Sequence, residues 1–120
     1  MILVDTSIWA DHIHSPIRYL LDAIAEVGIV QHPFVTGELA LGNPLDRRRM
    51  VTMLDMLPGA PVIEHGALIA FVETHAIGGT GLGLVDAHLL ASARVANHRL
   101  WTRDKRLAAQ AERLGLLHVD

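Results

Sequence analysis

The chain has 120 residues, of which 51% are hydrophobic, and a net charge of −3, which is enough sequence for one domain with a single core. It contains no cysteine, which excludes disulfides and thiolate zinc sites and fits a reducing cytoplasm. No apolar run approaches the ~20 residues of a membrane helix, and Asp5, Asp11 and His12 interrupt any start of a signal peptide. We therefore expect a cytoplasmic protein without membrane contacts, and the surplus of apolar residues predicts a partner or a second copy.

The first thirty residues predict two short strands separated by helices. Ile2–Val4 is an apolar run typical of a buried strand, and Asp5-Thr6-Ser7 supplies side chains that can cap a following helix. Pro16 suits the first turn of a second helix, whose apolar residues recur at intervals of three and four. Gly28 is expected to end that helix, and Ile29–Val30 to form the second strand.

The rest of the chain continues this alternation, with glycine and proline marking the breaks between elements. Helices are predicted at Phe34–Leu41, Leu45–Leu57, Glu64–Ile77, Leu84–Val95 and Asp104–Leu114, and strands at Pro61–Ile63, Leu100–Thr102 and Leu116–Val119. Such alternation is typical of a parallel sheet covered by helices on both faces. We expect a single α/β domain over residues 1–120, with three α/β/α layers and a mainly parallel sheet of about five strands.

Four acidic residues lie where the predicted elements meet. Asp5 ends the first strand, Glu38 lies early in a helix, and Asp86 and Asp104 lie at the starts of two later helices. Side chains at such junctions converge on the edge of an α/β sheet where ligands bind. Converging carboxylates raise each other's pKa unless a cation neutralises them. The pattern therefore favours a divalent metal held by oxygen ligands, and metal-assisted phosphoryl chemistry.

Each acid taken alone also has an ordinary structural explanation. Asp5 or Thr6 could cap a helix, and Asp104 could cap the helix that begins at Lys105. Asp86 could be an exposed acid in a first helical turn, and Glu38 a solvated helix residue. Three of the four are nevertheless flanked by apolar residues or strands, where an unpaired carboxylate is costly.

Three segments carry a resemblance to a known family. They are Met1-Ile2-Leu3-Val4-Asp5-Thr6-Ser7-Ile8-Trp9, the run from Gly81 to Ala93 that contains Val85-Asp86-Ala87-His88, and Leu100-Trp101-Thr102-Arg103-Asp104-Lys105-Arg106-Leu107. These segments resemble the signature segments of PIN-domain ribonucleases. Their order and the length of the chain are similar to those of the bacterial VapC toxins, and the likeness covers essentially the whole chain.

The resemblance implies a metal-dependent endoribonuclease and assigns its site by position. In that family four acids hold Mg²⁺ or Mn²⁺ and cut single-stranded regions of RNA. The corresponding acids are Asp5, Glu38, Asp86 and Asp104, with Thr6 and Thr102 as supporting hydroxyl residues. The resemblance also implies a type II toxin, inhibited by a cognate antitoxin that is a small DNA-binding protein, and a homodimer within the toxin–antitoxin complex.

Two clusters of basic residues are candidates for RNA contacts. Without the four candidate acids, ten bases face nine acids, so the remaining chain has a net charge of +1. Six of the ten bases are clustered, and their distribution matters more than the total charge. The clusters are Arg47, Arg48 and Arg49, and Arg103, Lys105 and Arg106. A solvated helix face, or a contact with the antitoxin, is the alternative for both clusters.

Other interpretations are weaker. The eight histidines include no convincing pair at i, i+4 for zinc, and packing or capping is favoured for His88. Gly78–Gly83 lacks the Lys and Ser/Thr of a phosphate-binding loop, and its glycines are expected to allow a close approach near the acids. The rival functions are a PIN nuclease in RNA processing without an antitoxin, a catalytically silent PIN-like binding module and, more distantly, a phosphoacceptor receiver domain.

Overall fold

A small parallel sheet lies at the centre of the structure. The computed structural model describes residues 1–42 and 47–119, with side chains of the second range from Arg48 onwards. Strand β1 (Ile2–Val4) lies between β2 (Ile29–Val30) and β3 (Arg99–Trp101), and both pairings are parallel. The expected parallel α/β class is confirmed.

The sheet has fewer strands than the sequence predicted. Beyond β2 and β3, the described residues add only two isolated parallel bridges, Gln31 with Gly59 and Leu100 with Leu117. The strand predicted at Pro61–Ile63 was wrong: these residues form no strand. The bridge at Gly59 cannot extend along this segment, because a proline at position 61 has no N–H for the ladder. At Leu116–Val119 the pairing is likewise limited to the single bridge with Leu100.

Seven helices surround the sheet in the described residues, and every predicted helix is present with small differences at its ends. Helix α5 is the clearest difference. It begins after Glu64, whose carboxylate caps Gly66 N and Ala67 N, and it ends before Ala76, whose φ of 53° is not helical. The helices are α1 (Thr6–His14), α2 (Arg18–Glu26), α3 (Pro33–Ala40), α4 (Arg47–Asp55), α5 (His65–Thr74), α6 (Leu84–Ala96) and α7 (Lys105–Arg113). Residues 45 and 46, where α4 was predicted to begin, lie outside the described residues. No helix of the described ranges is long and apolar enough to cross a membrane.

Helix α6 is the most deeply buried helix of the described chain. Seven consecutive residues, from Ala87 to Ala93, are buried on it. Its alanines and Ser92 allow neighbouring elements to approach closely, and Leu89 and Leu90 are completely buried in the main core. A helix enclosed in this way must provide partners for its polar side chains, because an unpaired polar group in the core is costly.

A buried hydrogen-bond chain joins α3 to α6. His32, which is fully buried, precedes α3, and its Nδ1 accepts a hydrogen bond from Phe34 N (3.0 Å). Its Nε2 lies 3.1 Å from the hydroxyl of Ser92 on α6, and that hydroxyl donates to the carbonyl of Pro61 (2.6 Å). The Ser92 proton is thus already used, so His32 Nε2 must be the donor to Ser92. The arrangement requires the neutral imidazole and holds the helix that carries Glu38 against the helix that carries Asp86.

This chain predicts a loss of stability at mildly acidic pH. Burial, and secondarily the proximity of His88, lowers the pKa of His32 to about 4 from 6.5. Between these two pH values His32 is protonated in the unfolded chain but neutral in the folded chain. The stabilisation that comes from this residue is therefore fully present above pH 6.5 and is lost as the pH falls towards 4. We expect a loss of about 2–3 kcal/mol from this residue, from ~1.4 kcal/mol per pKa unit, measurable by urea unfolding between pH 7.5 and 4.

The control is His32→Asn. An asparagine amide oxygen can still accept the bond from Phe34 N, but it does not titrate. The variant should be less stable than the wild type at pH 7.5 and less sensitive to acid. An acid dependence as steep as that of the wild type would contradict the assignment.

Candidate active site

Asp5 is a buried acid whose position is set by two hydroxyl groups. It follows β1, is 6% exposed, and makes no side-chain cap bond to α1. Its Oδ2 instead accepts hydrogen bonds from Thr102 Oγ1 (2.7 Å) and Ser7 Oγ (2.8 Å). Its other carboxylate oxygen, Oδ1, accepts no hydrogen bond from a described residue and is left available to a ligand. Asp5 therefore occupies the N-cap position of α1, but its side chain does not cap the helix.

The same hydroxyl groups connect Asp5 to the end of β3. Thr102 Oγ1 accepts a hydrogen bond from Asp104 N (3.0 Å), and Ser7 Oγ accepts one from Arg103 N (3.0 Å). Ser7 was considered in the sequence only as a cap, and its place between two strand ends was missed. The available signal was its spacing, because Ser7 lies two residues after one acid and Thr102 lies two residues before another.

Glu38 is brought to the same edge through α1. It lies on the exposed side of α3, and its Oε1 accepts a hydrogen bond from Thr6 Oγ1 (2.7 Å). Thr6 immediately follows Asp5, so this bond places the Glu38 carboxylate beside the end of β1. The side chain is exposed, yet it has a defined partner 32 residues away in the sequence.

The pKa of Asp86 is affected by the charges of the other three acids. Asp86 lies in the first turn of α6, and its Oδ2 accepts a hydrogen bond from Gly83 N (3.3 Å). Burial raises the pKa of Asp86, the bond from Gly83 lowers it, and the negative charges of Asp5, Asp104 and Glu38 raise it further. These three acids come from different segments of the chain, so the fold gathers all four around one space.

Asp104 is a helix cap as well as a member of this group. Its Oδ1 accepts both Arg106 N (2.9 Å) and Leu107 N (3.0 Å) at the start of α7. The ordinary explanation considered for this residue therefore holds in the structure. Its second oxygen, Oδ2, has no hydrogen-bond partner among the described residues, so capping does not exclude contact with a ligand.

The acids converge without forming a closed ligand cage. Among residues 1–42 and 47–119, no three His, Asp or Glu side chains are close enough together to hold one metal ion. The effect of the other three acids on Asp86 nevertheless shows that their charges share one region. The charges of the four acids therefore share one region, although their side chains do not form a closed metal site.

The basic residues predicted to contact RNA have different surroundings in the structure. Arg103 pairs with Asp11 (2.6 Å), which is the one ion pair between described side chains. Arg106 lies against Gly81 in the glycine-rich loop, while Lys105 is exposed on α7. Arg48 and Arg49 are exposed on α4 and line an open groove of about 530 Å³ together with Thr52, Met53 and Met56. The side chain of Arg47 lies outside the described residues.

His88 has the packing role favoured from the sequence. It is 6% exposed and lies edge-on to Phe34, with 4.7 Å between the ring centroids. Its Nδ1 is buried without a hydrogen-bond partner among the described residues, and burial lowers the pKa of His88, with His65 as a smaller cause. His88 therefore belongs to the interface between α3 and α6.

Comparison with known proteins identifies the family. The sequence is 41% identical over 117 residues to the ribonuclease VapC32 of Mycobacterium tuberculosis, in strains CDC 1551 / Oshkosh and ATCC 25618 / H37Rv. The match covers 97% of this chain and 94% of the relative. The chain belongs to the VapC ribonuclease family. No protein-family model matches the sequence.

The fold of this VapC family member is also found in a solved structure. It resembles the crystal structure of FitAcB from Neisseria gonorrhoeae with a TM-score of 0.58 and 16% sequence identity, over 93% of this chain and 94% of that one. At this identity the likeness concerns the fold alone. The predicted ribonuclease and VapC-toxin class is confirmed by the family, and the receiver-domain interpretation is not supported.

The two roles of Asp104 in this VapC chain can be separated by two substitutions. Asn retains an acceptor oxygen for Arg106 N and Leu107 N, whereas Ala removes it. We expect Asp104→Asn to melt within about 1 °C of the wild type and Asp104→Ala to lose ~1 kcal/mol of stability. Both variants should bind Mn²⁺ more weakly if Oδ2 contacts the ion. Unchanged Mn²⁺ affinity in calorimetric titrations of both variants would leave Asp104 as a cap only.

Proposed function

We propose that this chain is a Mg²⁺- or Mn²⁺-dependent endoribonuclease that hydrolyses phosphodiester bonds in RNA and acts as the toxin of a toxin–antitoxin pair. The proposed catalytic and metal-binding residues are Asp5, Glu38, Asp86 and Asp104, supported by Thr6 and Thr102. The observation that carries the proposal is the convergence of the acids on Asp86, whose pKa is raised first by burial and then by the charges of Asp5, Asp104 and Glu38. A cluster of carboxylates that repel one another in this way is suited to a divalent cation.

The donor set fits the proposed metal. All four acids present carboxylate oxygens, and the hydrogen bonds at the site come from hydroxyl and backbone groups. Oxygen ligands favour Mg²⁺ or Mn²⁺ over zinc, which prefers nitrogen and sulfur. His32 and His88, the two buried histidines nearest to α3 and α6, are engaged in packing and hydrogen bonding to other groups.

The protein's own contribution to hydrolysis is to position charge. Thr102 and Ser7 hold one oxygen of Asp5 and leave the other for the ion. When bound, the ion would supply an activated water and stabilise negative charge on the phosphate and leaving oxygen. Asp104 links this site to α7 through the cap bonds on Oδ1. No histidine, serine or cysteine nucleophile is needed for this chemistry.

We propose that RNA is held mainly at phosphates by the basic residues around the site. Nuclease substrates are positioned through their backbones, and each Lys or Arg contact adds to the salt dependence of binding. The candidates are Arg103, Lys105, Arg106, Arg47, Arg48 and Arg49. Arg103 is the weakest candidate of the first cluster, because Asp11 already occupies one of its donors.

The partner proposed for the groove on α4 is the antitoxin. The groove on α4 combines Arg48 and Arg49 with the side chains of Met53 and Met56, and Met56 is 81% exposed. Methionine and arginine are both common at protein interfaces. We propose that a cognate antitoxin, a small DNA-binding protein, binds here, and that toxins dimerise within the complex. Copurification with the product of an adjacent small open reading frame tests this partner directly.

We also propose that residues 1–120 form one PIN-like domain of three α/β/α layers, with the bridges at Gly59 and Leu117 as the rudiments of the outer strands of a five-stranded sheet. We also propose a cytoplasmic location, because the proposed RNA substrate is found there. A nuclease without an antitoxin differs from this proposal only in its partner. A catalytically silent binding module would not cleave RNA, so cleavage assays distinguish it from this proposal.

Metal dependence is the first test of the activity. We expect single-stranded RNA to be cleaved with Mg²⁺ or Mn²⁺, cleavage to stop in EDTA, and Zn²⁺ not to restore it. Induced expression followed by mapping of new RNA 5′ ends, with Asp5→Asn as the inactive control, would show the same activity in cells. Cleavage that continues unchanged in chelator would disprove the mechanism.

Asp86→Asn should have opposite effects on activity and stability. The raised pKa means that the Asp86 carboxyl contributes most to stability below its unfolded pKa and that this contribution is lost as pH rises through the folded value. At pH 7.5 in EDTA, removal of the charge should raise the melting temperature by about 2 °C, while RNA cleavage with Mn²⁺ falls at least ~100-fold.

A matched control is available in Asp22→Asn, which removes the same charge from the exposed surface of α2. It should leave both melting temperature and cleavage unchanged. A destabilised Asp86→Asn variant would instead show that this residue is needed as a first-turn acid of α6.

A further inference from the structure

Gly81 leaves room for one particular arginine. It lies in the loop between α5 and α6 with φ of +86°, and a Cβ added there would lie 3.2 Å from both Cδ and Nη1 of Arg106. Contacts this short are tighter than most real Cβ contacts, so a Cβ at this position would force the side chain of Arg106 to shift. The close approach expected of this loop is therefore made to an arginine of α7.

The guanidinium of Arg106 has no partner within the described protein. No described carboxylate lies within ion-pair distance of it, and its side chain donates no hydrogen bond to a described residue. Arg103, three residues earlier, provides the contrast because it is paired with Asp11. An exposed guanidinium that has a defined position and free N–H donors can bind a carboxylate or a phosphate.

The contact between Arg106 and Gly81 joins the two segments that carry Asp86 and Asp104. Arg106 N donates to Asp104, and Gly83, two residues after Gly81, donates its N–H to Asp86. The arginine thus lies beside the acidic cluster without neutralising it. An RNA strand that approaches four carboxylates is repelled by them, and a fixed positive charge at their margin reduces that repulsion.

We propose that Arg106, held in place by Gly81, is the substrate-positioning residue that binds an RNA phosphate next to the one that is cleaved. The inference rests on the proposed ribonuclease function and adds to it a single phosphate site and the glycine that shapes it. It also distinguishes Arg106 from Arg103, whose charge is engaged by Asp11.

The loop offers its own control. Gly79 also has a positive φ, +79°, but a Cβ added there meets no heavy atom within 4 Å. Gly79→Ala and Gly81→Ala therefore impose similar backbone strain, and only the second displaces Arg106. Because the displaced atoms belong to the flexible end of a side chain, Gly81→Ala should melt no lower than Gly79→Ala.

The experiment measures binding of a labelled single-stranded RNA by fluorescence anisotropy, in EDTA and in an Asp5→Asn background, over a series of salt concentrations. We expect Arg106→Gln to weaken binding about fivefold and to lower the slope of log K against log salt by ~0.7, the value for one phosphate on a single strand. Gly81→Ala should weaken binding about threefold. Gly79→Ala should change it less than about 1.5-fold.

The decisive result is the double variant. If Gly81 acts through Arg106, then Gly81→Ala should have no further effect in the Arg106→Gln background. An equal effect in both backgrounds, or an unchanged salt slope in Arg106→Gln, overturns the proposal. So does loss of antitoxin binding without loss of RNA binding in Arg106→Gln, which would assign this arginine to the protein partner.

Failure of the proposed function gives a different pattern. In that case the wild-type chain with Mn²⁺ leaves RNA uncut, and the Asp5→Asn parent shows no salt-dependent RNA binding, which overturns both proposals. Cleavage by the wild type together with RNA affinity that is indifferent to Arg106 overturns the phosphate site alone.

Discussion

Mutual repulsion among four carboxylates at one edge of the sheet is the constraint on which the rest of this structure depends. The fold moderates the repulsion by giving every acid at least one hydrogen-bond donor. Two hydroxyl groups bind the buried acid, another hydroxyl binds the acid on α3, and backbone N–H groups bind the two acids at helix starts. These acids are Asp5, Glu38, Asp86 and Asp104, in that order. Their charges are thus held together, while the unused carboxylate oxygens remain available to a cation.

The burial of α6 explains how flexible side chains can be held in such a cluster. A helix enclosed over seven consecutive residues cannot slide or rotate without opening the core. The His32–Ser92 hydrogen bond then fixes the start of α3 against it. This connection works only with a neutral imidazole, so the pH dependence of stability and the geometry of the acidic edge have one cause. Rigid elements far from the chemistry determine the distances within the site.

The basic side chains of the two clusters have neighbours with different chemistry. Arg48 and Arg49 share their groove with methionines, as is common at protein interfaces. Arg106 lies beside the acids with its guanidinium unpaired, as is suited to a phosphate. Net charge alone could not separate these roles, because a value of −3 includes the acids that a cation would neutralise. Position relative to the acidic edge is the property that distinguishes one arginine from another.

The sequence by itself determined the order and type of the elements, because apolar periodicity and the Gly/Pro breaks are local properties. It also singled out the four acids as candidates, since junction positions and the three motif segments can be read without coordinates. The tertiary structure decided what local patterns do not contain. Pro61 could not continue a ladder, so the third predicted strand did not form. Ser7, just after β1, proved to bind the backbone of Arg103, 96 residues away and just after β3. The contact between Arg106 and Gly81 likewise joins a helix to a loop 25 residues away in the sequence. Such contacts depend on packing between elements and not on the residues within each element.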